Sequence, residues 1–177
     1  MTKNTRFISH GFRLAVLALA VAGSGSAMAA VATATSTGTV VSPIAISKAV
    51  DLSFGSFASS ATAGTVTISP NNARAVSGGV TVAGGTSTAA KFDVVGNGTA
   101  TYSITFGGTA VLTSGSDTMA FTRISALTAS AITSGDVSTG ALTAGAQSIY
   151  VGGVLAVAAS QAAGAYTGSV TATVEYN

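Results

Sequence analysis

The sequence predicts an all-β fold, an antiparallel β-sandwich, on three observations. Apolar residues alternate with hydroxyl residues at a period of two, the repeat of a strand with one buried face. Clusters of Gly, Asn, Asp, Ser and Pro separate these runs, roughly every ten to fifteen residues. No stretch after the leader presents a helical apolar face, and 22 glycines weigh against long helices.

Residues 1–29 have the layout of a secretory signal peptide. Lys3, Arg6 and Arg13 give a positive start, residues 14–22 an apolar run, and Ala27-Met28-Ala29 a cleavage triplet. The run is well short of the about 20 residues a spanning helix needs, so no stable membrane insertion is expected. Residues 30–41 read as an extended, uncharged N-terminal extension, and residues 42–177 as one domain.

Within that domain the alternation predicts strands over 39–47, 50–54, 64–69, 73–76, 79–83, 89–95, 99–106, 109–113, 118–127, 147–151, 154–158 and 165–176. Val66 and Ile68 share one face of their strand, as do Val80 and Val82, and Tyr102, Ile104 and Phe106. Thr fills the opposite faces because its β-branch suits a pleated backbone. The expected turns are at 69–72, 84–85, 96–98, 107–108, 114–117, 134–136 and 152–153. Residues 126–146 are rich in Ala, Ser, Thr and Gly and fit either a long loop or short edge strands. No fixed-length repeat is visible, which argues against a solenoid or propeller.

Charge and composition restrict the function classes. Only 7% of the residues are charged, against about a quarter in an ordinary cytosolic protein. The 47% hydrophobic share is inflated by 35 alanines. Without the leader, Lys48, Arg74, Lys91 and Arg123 face Asp51, Asp93, Asp117, Asp136 and Glu175, a net charge of −1. No basic patch is left to hold a phosphate backbone, so nucleic acid is not an expected partner. The single His, His10, lies in the leader, and the chain has no Cys. A Ser–His–acid triad, a thiol nucleophile and cysteine metal sites are therefore not available, and catalytic residues, cofactors and metal ligands are all expected to be absent. Lys48 and Lys91 read as solvated surface groups, not halves of a Ser–Lys dyad. Asp117 and Asp136 are too isolated for a Ca²⁺ site. Asn97-Gly98-Thr99 matches a glycosylation acceptor but reads better as a tight turn joining strands 89–95 and 99–106.

The two ends carry the most information. Tyr166, Val170, Ala172, Val174 and Tyr176 lie on one face of the last expected strand, and Thr167, Ser169, Thr171, Thr173 and Glu175 on the other. In the extension one face is Ala30, Ala32, Ala34, Ser36, Gly38 and Val40; the other is Val31, Thr33, Thr35, Thr37, Thr39 and Val41.

Here the chain resembles bacterial fimbrial subunits of the chaperone–usher type, which share a penultimate Tyr and a Gly fourteenth from the end. Tyr176 and Gly164 occupy those places. Residues 52–57, 64–70, 78–80, 150–155 and 161–168 further resemble a pilin-like family, the domain of unknown function DUF4402. The resemblance covers nearly all of the chain after the leader. It implies an immunoglobulin-like sandwich that lacks its last strand and is complemented by a donor strand. It implies a periplasmic chaperone that pairs with the last strand, here Tyr166 to Tyr176, and anchors the carboxylate of Asn177. An outer-membrane usher and neighbouring copies of the same chain are the other implied partners. The implied donor residues are Ala30, Val31, Ala32, Ala34, Gly38 and Val40; the implied acceptor and chaperone strand carries Gly164, Tyr166, Val170, Ala172, Val174, Tyr176 and Asn177. Two departures stand out: the chain has no disulfide, and the presumed donor face is made of Ala, Ser and Gly. Either the groove is shallow, or Val40, Val41, Ile44 and Ile46 supply the anchoring. The expected function is a structural subunit of a surface fimbria, exported through the periplasm. The alternative is a monomeric secreted sandwich that binds a glycan or small ligand.

Overall fold

The computed structural model describes residues 29–177. The leader expected over 1–29 falls, except for Ala29, outside the described residues. The chain divides after Gly38, and all ten described strands lie in Thr39–Asn177. Residues 29–38 form no strand.

The strands are β1 (Ala45–Val50), β2 (Ser56–Ile68), β3 (Arg74–Gly84), β4 (Ala90–Val95), β5 (Thr101–Gly108), β6 (Val111–Ser114), β7 (Asp117–Ala126), β8 (Thr139–Ala141), β9 (Ala146–Val157) and β10 (Val170–Tyr176). Every pairing is antiparallel. They form two open sheets, one of seven strands and one of three ordered β10-β5-β8. The expected all-β antiparallel class is what the chain adopts, in an arrangement consistent with a β-sandwich.

The organising strand is β9. Tyr150 and Val151 pair with both β4 and β7, while Val154 and Leu155 pair with both β2 and β7. One edge of β9 therefore carries β7, and the other carries β4 and then β2 in succession. Odd-numbered residues of β9 turn inward along its whole length. Ile149 and Val151 join Phe92 and Val94 of β4, Tyr102 and Ile104 of β5, and Val174 of β10 in a first core cluster. Leu155 and Val157 join Phe54, Val66, Ile68, Val80 and Met119 in a second. Each such fully buried side chain contributes about 1.5–3 kcal/mol.

Several expected boundaries need correction. The run 147–158 is one strand, not two around a turn. Gly152 and Gly153 sit inside β9, where an added Cβ would strike the carbonyl oxygen of Ile68 at Gly152 and the ring of Phe121 at Gly153. Glycine here permits close packing of neighbouring strands, not a bend. Gly107-Gly108 likewise lies in β5. Residues 39–44 and 51–54 form no strand apart from a bridge between Ser53 and Thr88. Residues 56–63, which lie between the expected strands 50–54 and 64–69, extend β2. Residues 73–76 and 79–83 are one strand, β3, and between Ser59 and Gly64 the register of β2 against it shifts. Residues 127–138 are a loop, and only β8 forms in the ambiguous stretch. The turn at 96–98 exists, with the N–H of Ala100 donating to Asn97 at 3.0 Å. It joins strands of different sheets, however, so it is a crossover and not a hairpin.

Candidate functional site

The second core cluster is not covered on all sides. A groove of about 920 Å³ opens over it. Its floor is Leu112, Met119, Phe121, Leu155 and Val157; one wall is residues 52–59 and another residues 161–170. Phe54 and Phe121 meet edge to face at 6.1 Å, which fixes two of its aromatic surfaces.

The groove exists because β9 ends early. Val157 pairs with Gly64, and beyond it the chain leaves the sheet. Residues Ser56–Ser59 of β2 still pair with β3 on one side, but among the described residues no strand runs along the other. There the contacts are isolated: the N–H of Ser160 donates to Ser60 at 2.7 Å, and Ser59 Oγ donates to the carbonyl of Gln161 at 3.1 Å.

The wall 161–170 is held by local bonds. Tyr166 donates its hydroxyl to the carbonyl of Ala162 at 2.8 Å and accepts from Gln161 Nε2 at 2.8 Å. Thr167 exchanges both backbone bonds with Thr113, each at 2.9 Å. The alternation placed Tyr166 in the last strand; instead Thr167 is captured by Thr113, and β10 begins only at Val170, four residues after Tyr166. Gly164 sits beside β6, with Ser114 Oγ where a Cβ would point.

From Val170 onward the groove wall becomes an open strand edge. The N–H of Asn177 donates to Thr101 at 3.3 Å, and the N–H of Thr109 donates to Ser169 at 2.9 Å. In the antiparallel register of β10 on β5, the odd-numbered residues thus make the bonds to β5. Val170, Ala172, Val174 and Tyr176 direct their N–H and C=O groups to the other side, where no described strand pairs. The same four side chains turn inward: Val174 is buried and the other three half-buried against the first core. An unpaired edge of this kind, with Glu175 as the strand's single charge, is a template for another strand.

Tyr176 ends this edge with a tie. Its hydroxyl donates to the carbonyl of Ser42 and accepts from the N–H of Asn97. Of the expected extension, residues 39–41 belong to the folded unit without forming a strand, and Val40 is 99% exposed. Val31 is 86% exposed. Ile44 and Ile46, offered above as anchors for a neighbour, pack instead against the first core of their own molecule.

Among the described residues no charged side chain lines the groove, but Arg74 Nη1 donates to the carbonyl of Phe54, on its wall, at 3.0 Å; the ion pairs lie elsewhere. Lys48 pairs with Asp51 at 2.6 Å, Lys91 with Asp93 at 2.9 Å and Arg123 with Asp136 at 2.9 Å. Ser148 Oγ donates to Asp93 at 2.7 Å; that bond first, and Lys91 second, hold the carboxyl below its ordinary range. The hydrogen bond to Asp93 raises Lys91. Burial pushes the Tyr102 phenol up. Arg123 lies over the Phe106 ring at 4.5 Å. Among the described residues no group of three His, Cys, Asp or Glu side chains is placed to hold a metal, and no helix is long and apolar enough to cross a membrane.

A family model described as Domain of unknown function (DUF4402) matches residues 44–176. The chain belongs to this family. The match begins one residue before β1 and ends with β10, so it takes in both walls of the groove and the open edge. Comparisons with curated proteins and with solved structures gave no match.

Sequence reasoning missed the groove floor. Met119 and Phe121, and Leu52 and Phe54, alternate as strand residues do, but alternation marks an inward face without saying whether anything covers it.

Proposed function

We propose that the chain is a pilin-like structural subunit of a bacterial surface fimbria, without catalytic activity, which polymerises by strand addition. The carrying observation is the groove with an apolar floor that opens beside the unpaired edge of β10. Residues 30–41 of a second copy are the strand that fills it. They are extended, uncharged and free of turn residues apart from Gly38. Backbone hydrogen bonds to the open edges give affinity, and alternate side chains entering the groove give register.

The geometry of the ends favours a fibre over a closed dimer. The extension leaves the folded unit beside Ser42, which Tyr176 holds at the far end of β10. The groove lies at the Val170 end of that strand. A contact between a root at one end and a slot at the other is head-to-tail, and such contacts propagate. Export through the periplasm, with a chaperone covering the open edge and an usher handling assembly, belongs to the same proposal. It rests on the leader and on the cost of exposing such an edge. The alternative, a secreted monomer that holds a glycan or small ligand in the groove, accounts for the cavity but leaves the open edge of β10 without a role.

The test is to express residues 30–177 and residues 42–177 and compare unheated samples by SDS gel. The proposal expects ladders of subunit multiples from the longer chain and none from the shorter. Ladders unchanged by the deletion refute it, and stable monomers of both forms favour the alternative.

A further inference from the structure

Resting on that proposal, we infer that the extension enters the groove with its threonine face: Val31, Thr33, Thr35, Thr37, Thr39 and Val41 point inward, and the alanine face points to solvent. The volume of the groove decides this. At about 920 Å³ it is not the shallow slot that Ala, Ser and Gly side chains would fill. Each residue of the threonine face carries three heavy side-chain atoms, whereas the other face carries none at Gly38, one at each of its three alanines, two at Ser36 and three only at Val40. A void left under a small-residue strand would forfeit contacts on the aromatic floor, and cavities in cores are costly.

The chemistry of the walls points the same way. The floor is apolar, but Ser56 and Ser59 stand on one wall and Thr167 and Ser169 on the other. Threonine meets both surfaces, with a methyl group for the floor and a hydroxyl for the walls. Its β-branch also pre-sets the extended backbone that strand addition needs. Ile44 and Ile46 cannot substitute as anchors, because they pack in their own domain.

The experiment compares Thr35→Lys, Ala34→Lys and Thr35→Val in the chain 30–177, read as SDS-resistant ladders. Both positions precede the folded unit, so loss of folding does not confound the result. Thr35→Lys is expected to reduce ladders at least tenfold, while Ala34→Lys and Thr35→Val keep them. Loss with Ala34→Lys but not Thr35→Lys, or equal effects of the two lysines, overturns the assignment of the face while strand addition stands. Ladders that survive removal of residues 30–41 overturn strand addition itself.

Discussion

The hydroxyl of Tyr176 donates a hydrogen bond to the carbonyl oxygen of Ser42 at 2.9 Å. The residue that ends the last strand thus holds the residue from which the N-terminal extension departs. The same oxygen accepts the N–H of Asn97 at 2.7 Å, so one side chain ties three separate segments.

Tyr176→Phe removes both bonds and keeps the ring against the first core. Two neutral hydrogen bonds contribute about 1–2 kcal/mol together after exchange with water. Thermal unfolding should fall by roughly 3–8 °C, with the β content unchanged by circular dichroism. An unchanged melting temperature would show that the tie does not stabilise the fold.

Gly152→Ala and Gly153→Ala should differ in severity. At Gly152 the new methyl meets the backbone of Ile68, which has no rotamer to yield, and the soluble folded fraction should drop sharply. At Gly153 the closest contact is the Phe121 ring, which lines the groove and is only half-buried, with the backbone carbonyl of Thr122 a second, longer contact at 2.8 Å. That variant should fold with a loss of about 1–3 kcal/mol. Denaturant titration of both variants checks the order; a milder effect at Gly152 contradicts it.

The Asp93 carboxyl gives a pH signature. Its folded pKa is lowered, so its contribution is present above the ordinary value of 3.8 and is lost as pH falls through the folded value. Ser148→Ala removes the largest cause. Melting temperature should then be lower at pH 7, and its further decline between pH 4 and the acid limit should be shallower. Parallel curves for the two proteins would refute the assignment. The raised Lys91 acts at the opposite end: its contribution is complete at neutral pH and is lost only as pH rises past the ordinary lysine value of 10.5.

Asp136 organises the loop 127–138. It accepts Arg123 Nε at 3.2 Å, Arg123 Nη2 at 2.9 Å and Ser125 Oγ at 2.9 Å, while the N–H of Val137 donates to Ser125 Oγ. Arg123 and Asp136 are partly exposed, so solvent screens the pair and the loss in Asp136→Asn should be about 1 kcal/mol. The clearer readout is proteolysis, which should speed up several-fold within 127–138 and nowhere else.

Alternation made the strands legible where Val, Ile, Phe or Tyr faced Thr or Ser, as in Tyr102–Phe106 and Thr65–Ile68. It failed where the residues were small. Residues 56–63 fell outside the expected strands, since Ser and Ala give no contrast between faces. Gly152-Gly153 looked like a turn because sequence does not reveal that Ile68 and Phe121 press on that backbone. Alternation marked the apolar face of β10, whereas a vacancy beside it was implied only by the family resemblance. The groove itself was not legible, since it arises where β9 stops at Val157 while β2 runs on past its end, a relation between strands 90 residues apart in sequence.

The most direct test uses the absence of cysteine. Ser59 pairs with the buried Val80 and so faces the interior beside the open edge of β2. Ser59→Cys is combined, in separate variants, with Thr33→Cys, Thr35→Cys or Thr37→Cys. A disulfide needs Cα atoms within about 7 Å, a distance adjacent strands supply. The account predicts that at least one pair gives a ladder on boiled, non-reducing gels that collapses to monomer on reduction, while the single-cysteine variants give no band beyond a dimer. Monomers in all three pairs, or a disulfide closed within one molecule, would contradict it.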